Sequence, residues 1–151
     1  MKRTLLAGLA GGAAMNLAML LTFRLIGFGL HGDGILLTSP IQSKKLIAVW
    51  TQLEPLPMVV RNPAPILLGM MLFAIGHAMV YRWLSPAWPA GTSRRALRFA
   101  GLLWFMTFLF WEFFTPLNQF GEPLPLILLE LTFWAWIALA ESFAIAFVAE
   151  R

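Results

Sequence analysis

The chain predicts an all-α integral membrane protein, a four-helix up-down-up-down bundle with both termini cytoplasmic and a short interfacial helix in the first extracytoplasmic loop. Three observations lead there. Of its 151 residues, 60% are hydrophobic and 12% charged, against roughly 45 to 50% and 25% in soluble globular proteins. Four apolar stretches reach the ~20 residues that a helix needs to cross a bilayer. The basic residues are also divided unequally between the ends of those stretches, and such a bias sets orientation in a membrane.

The first span is expected over residues 4–28. Met1-Lys2-Arg3 before an apolar run resembles the start of a signal peptide, but the uncharged run reaches Phe23 with no small-x-small cleavage site, so a retained helix is expected. Gly8, Gly12 and Asn16 recur every four residues and offer a small surface for close helix approach, with Asn16 able to hydrogen-bond across it. The connection 29–64 opens on turn residues Gly29, Gly32, Asp33 and Gly34, followed by Ser39-Pro40. From Ile41 to Leu53 apolar and polar residues interleave as in a short interfacial helix, which Glu54-Pro55-Leu56-Pro57 then ends.

The other spans are expected over residues 65–84, 99–119 and 124–148, with a Pro- and Arg-containing loop between the second and third. Lys2, Arg3, Arg82, Arg94, Arg95, Arg98 and Arg151 fall on one side, against Lys44, Lys45 and Arg61 on the other, with Arg24 near the outer end of the first span. The richer side is the cytoplasm. No polar linker is long enough to separate two units, so residues 1–151 are expected to form a single transmembrane domain, and a bacterial inner (plasma) membrane is the expected location.

Composition also removes whole classes of function. The net charge of +4 is accounted for by membrane orientation, so no nucleic-acid partner is expected. Cysteine is absent, which excludes disulfides, thiolate nucleophiles, zinc–thiolate sites and iron–sulfur clusters. Neither His-x-x-x-His nor Glu-x-x-His occurs, and no phosphate-binding glycine loop, nucleophile elbow or haem-ligand pair is present. No metal and no cofactor are expected.

What remains is a set of carboxylates inside apolar spans: Glu112, Glu130 and Glu141. A charge at that depth costs at least ~2.5 kcal/mol on insertion scales, so it faces a partner, a cavity or a substrate. At ~1.5 Å per residue, Glu112 and Glu130 both fall ~20 Å above the inner face, while His77 and Glu141 both fall ~10 Å deep. Equal depth predicts two pairs. Glu130 and Glu141, three turns apart, share one face of the fourth span with Trp134, and Phe108, Glu112, Thr115 and Gln119 form a stripe on the third.

Two adjacent carboxyl groups share a proton, as an acid facing a base requires. Glu112 and Glu130 are therefore the expected catalytic residues. Asn16, His77, Trp111, Trp134 and Glu141 are the expected ligand-binding residues, Asn16 as the floor of a pocket and the tryptophans as its apolar, cation-accepting walls. Three function classes fit: an acid/base, non-redox enzyme acting on a lipophilic small molecule, a proton-coupled carrier, and a non-catalytic accessory subunit of a membrane complex. The first is slightly favoured. Expected partners are membrane lipid, a lipophilic or cationic small molecule, and a homo- or hetero-oligomer formed through apolar helix faces.

Overall fold

A computed structural model describes residues 1–151, and every regular element in it is helical. Four helices are long and apolar enough to span a membrane: α1 (Lys2–Gly27), α5 (Ala64–Ala87), α6 (Thr92–Phe120) and α7 (Leu124–Ala149). By that length and hydropathy the chain is an integral membrane protein. Three shorter helices, α2 (Ile35–Thr38), α3 (Lys44–Thr51) and α4 (Met58–Arg61), lie in the long connection between α1 and α5.

Helix α7 is the axis of the assembly. Half of its most apolar window is buried, compared with about a quarter or less of the corresponding windows of the other spans. It packs along α1 on one side and α6 on the other, and α1 packs in turn along α5. The α1–α5 contact is close because Gly8 and Gly12 have no side chain: a Cβ on Gly8 would stand 2.5 Å from Ile75 Cα, and one on Gly12 would stand 2.9 Å from Met71 Cα. Asn16 continues the same face and donates to the Leu67 carbonyl at 3.2 Å. Gly11 faces α7 instead, where a Cβ would press on Ile145.

The third span begins seven residues before its expected start. Gly91 takes φ +114°, a conformation open to glycine, and the helix begins at Thr92. Its first turns bury Ala96, Phe99 and Ala100 while Arg94 and Arg98 stay exposed, so an amphipathic stretch runs continuously into the apolar one. The loop helix α3 is shorter than expected: Ser43 accepts from the Leu46 N–H at 3.4 Å to start it, and regular helix ends at Thr51.

Helix α6 is not uniform. Trp104–Phe108 and Phe113–Leu117 are wound as wider π-type turns on either side of Glu112. Pro116 lies inside the second of these and has no N–H to offer the Glu112 carbonyl, which removes one rung of the α-helical ladder. The widened turns change the phase of the polar stripe. Phe108, Glu112, Thr115 and Pro116 are buried, whereas Gln119 is exposed, unlike the stripe read from the sequence. Gly121, at φ +65°, then stops the helix and permits a tight turn into Pro123 and α7.

Candidate functional site

That turn draws Glu122 inward. Its N–H donates to the Pro116 carbonyl at 3.1 Å, and its side chain is 1% exposed. Gln42, just before α3, reaches it from the opposite side: Nε2 donates to Glu122 Oε1 at 2.6 Å and to the Leu36 carbonyl at 2.8 Å, while Oε1 accepts from the Ser43 N–H at 2.7 Å. Every hydrogen-bonding group of that amide except its second carbonyl lone pair is thus engaged, which fixes its orientation. Two further bonds pin the same segment to the α6–α7 turn, from Ser43 Oγ to the Phe120 carbonyl at 2.5 Å and from Lys45 Nζ to the Gln119 carbonyl at 2.5 Å.

Below this cover the carboxyl groups of Glu112 and Glu130 meet. Glu130, 6% exposed, lies within side-chain hydrogen-bonding reach of both Glu112 and Glu122. Glu112 is fully buried, and the Trp134 indole N–H donates to its Oε1. Trp134 is itself fixed by stacking on Phe108, with centroids 4.5 Å apart and planes at 9°, and by Phe23 at 4.8 Å. Glu112 Oε2 and Glu122 Oε2 are buried with no hydrogen-bond partner. For Glu122, which lies outside the spans, burial raises the pKa above the ordinary carboxylate range, and the bonds from Gln42 and Glu130 offset only part of that rise.

Three turns farther along α7, ~16 Å at the usual helical rise, lies a second polar pair. His77 Nδ1 and Glu141 Oε1 are 2.8 Å apart, with Glu141 fully buried. The Phe73 ring lies 4.2 Å from the imidazole. Gly11 lies beside the glutamate stem on the α1 side, where a Cβ would stand in van der Waals contact with Glu141 Cγ at 3.5 Å. Glu141 Oε2 and the neighbouring Ser142 Oγ have no partner.

The residues singled out from the sequence thus separate into groups. Glu112, Glu130 and Trp134 come together, as do His77 and Glu141. Asn16 sits on the α5 face of α1 in a helix–helix contact, and Trp111 is 49% exposed on the outside of α6, so neither lines the carboxyl cluster. Gln42 and Glu122 also join the cluster, although neither was among the site residues expected from the sequence. The tight Gly121 turn before α7 is the local signal for Glu122. Gln42 has none, since its partner is 80 residues away.

No group of three or more His, Asp or Glu residues is placed to hold a metal ion. A shallow groove of about 260 Å³ on α6 is lined by Phe110, Phe113, Phe114 and Asn118, away from the cluster. A deeper cavity of about 380 Å³ lies at the opposite end of the bundle. Comparison with protein-family models, curated proteins and solved structures finds no match to this chain. The chain is a polytopic helical membrane protein with buried carboxyl groups and tryptophans among its long apolar helices.

Proposed function

We propose that this chain is an acid/base enzyme of the membrane, moving protons on a lipophilic small molecule without redox chemistry, with Glu112 and Glu130 as its proton donor and acceptor. One observation carries the reading: three acidic side chains converge, with Glu130 in reach of both Glu112 and Glu122. A clamp that only held helices together would pair unlike groups, as His77 and Glu141 do, because like carboxyls cost more to bury side by side. The indole of Trp134 only donates, so the Glu112 oxygen it meets acts as an acceptor, and the mobile proton is exchanged among the remaining carboxyl oxygens of the pair. Glu122 and Gln42 link the pair towards the loop, a path for resupplying that proton. The π-type turns flanking Glu112 loosen α6 beside α7, where a reactant from the lipid would enter; such turns are frequent at functional sites.

In this reading the spans run up, down, up and down through a bacterial inner membrane as one domain. Both termini face the cytoplasm, and α3 lies at the outer interface above the carboxyl cluster. The exposed apolar face of α6, with Phe105, Met106 and Phe110, meets lipid or a neighbouring subunit.

Deuterium transfer tests the proposal. Purified protein is incubated in D2O with lipid-soluble extract from the membranes that contain it, and the extract is examined by mass spectrometry. The expected result is a lipophilic compound that gains solvent deuterium with the wild type and not with Glu112→Gln or Glu130→Gln. An extract unchanged by folded wild-type protein, or full incorporation by both variants, would contradict it and favour the accessory-subunit reading.

A further inference from the structure

The cavity at the other end of the bundle belongs to neither polar site. It encloses about 380 Å³ where α1, α5 and α7 meet, and Arg3, Thr4, Tyr81, Arg82, Ser85 and Glu150 contribute to its wall. That volume falls within the range of small-molecule sites. Its polar lining is unbalanced. Arg95 forms an ion pair with Glu150 at 3.2 Å, and the same carboxylate accepts from Tyr81 and, at 2.7 Å, from Thr92. Both its oxygens are engaged. Arg3 and Arg82 make no ion pair at all. Arg82 Nη1 donates to Thr4 Oγ1 at 2.9 Å, which holds the guanidinium at the mouth of the cavity and leaves the Thr4 O–H free to donate. Ser85 also has an uncommitted hydroxyl there.

We propose that this cavity binds a phosphate group, held between the guanidinium groups of Arg3 and Arg82 with Thr4 and Ser85 as additional donors. The one carboxylate in the wall, Glu150, is already engaged by Arg95, Tyr81 and Thr92, so two unpaired guanidinium groups and two hydroxyls are left as donors in excess of acceptors, and a tetrahedral oxyanion supplies several acceptors at once. The position at the ends of three spans is the depth of lipid headgroups, so the phosphate of an anionic lipid and a free phosphate are the two sources of the same chemistry. This site is independent of the carboxyl cluster.

The probes are phosphatidic acid, added to a phosphatidylcholine nanodisc carrying the full chain, and inorganic phosphate. Retained lipid is counted by native mass spectrometry. Free phosphate is followed through Trp88, whose ring lies 6.3 Å from that of Tyr81. The expected result is preferential retention of phosphatidic acid by the wild type, weakened about tenfold for each guanidinium removed in Arg3→Ala and Arg82→Ala. Both arginines are exposed, so their truncation leaves packing intact. Ser85→Asp replaces one of the hydroxyl donors with a negative charge and should cause at least a similar loss, while Lys44→Ala in the outer loop should change nothing. A Trp88 response to inorganic phosphate that depends on Arg82, without lipid preference, would identify free phosphate as the source. Equal lipid retention by wild type and the arginine variants, with no phosphate response, would overturn the proposal.

Discussion

Replacing Glu130 by leucine and by glutamine separates the two things this side chain does. Leucine preserves much of the volume but removes the only side chain in hydrogen-bonding reach of both Glu112 and Glu122, so each of these buried carboxyl groups loses that contact. Each stranded buried acceptor costs about 1–3 kcal/mol, so Glu130→Leu should lose about 2–6 kcal/mol. Glutamine keeps one donor and one acceptor in place of the carboxyl and can satisfy one neighbour with its amide N–H while accepting from a proton on the other. Its stability should stay within about 1 kcal/mol of the wild type, while proton exchange is lost. Denaturant unfolding in mixed micelles, followed by tryptophan fluorescence, reads both variants on one scale. A leucine variant as stable as the glutamine variant would refute the argument that Glu130 satisfies its two neighbours.

Other consequences follow from the same geometry. Gly8→Ala should lower folded yield and cost about 1–3 kcal/mol, since the new methyl meets Ile75 Cα at 2.5 Å and backbone cannot rotate aside; unchanged thermal stability would show that α1 and α5 are not so closely apposed. His77→Phe should destabilise more than the double variant His77→Phe/Glu141→Leu, because the single change leaves a buried carboxyl without its partner, and a double-mutant cycle measures the difference. Glu122 has its pKa raised by burial, so the fold favours its neutral form. That stability is complete below the ~4.3 of free Glu and is lost as pH rises through the folded value. Hydrogen exchange at residues 43–51, corrected for its intrinsic pH dependence, should therefore quicken with rising pH in the wild type and not in Glu122→Gln. A cysteine at Ser43 should react with an external impermeant thiol reagent in intact cells and one at Ser93 should not, and the reverse pattern would invert the proposed orientation.

The membrane class and four long apolar helices were legible because they depend on composition and length, which a bilayer constrains strongly. The Gly8/Gly12 contact and the Asn16 hydrogen bond were legible for a similar reason: a four-residue repeat on a straight helix marks one face whatever it meets. Depth alone also brought Glu112 to Glu130 and His77 to Glu141, because a helix rises by a constant amount per residue. Lateral direction was less accessible. Trp111 is adjacent to Glu112 in sequence, yet one residue is a 100° rotation, and the π-type turns around Pro116 shift the phase further. Asn16 was at a suitable depth, but its face is turned to α5. Gln42 was hidden altogether, since a loop side chain that enters the bundle follows no periodicity, and Gln42 reveals itself only through its contact with Glu122.

Infrared difference spectroscopy of the protein in lipid tests the central claim most directly, because it detects the carbonyl stretch of protonated carboxyl groups. The account predicts a hydrogen-bonded, protonated glutamic acid signal near neutral pH that is lost or displaced in Glu130→Gln and altered in Glu112→Gln. A folded wild-type protein with no protonated carboxyl signal near neutral pH, or one whose signal is untouched by both substitutions, would contradict it.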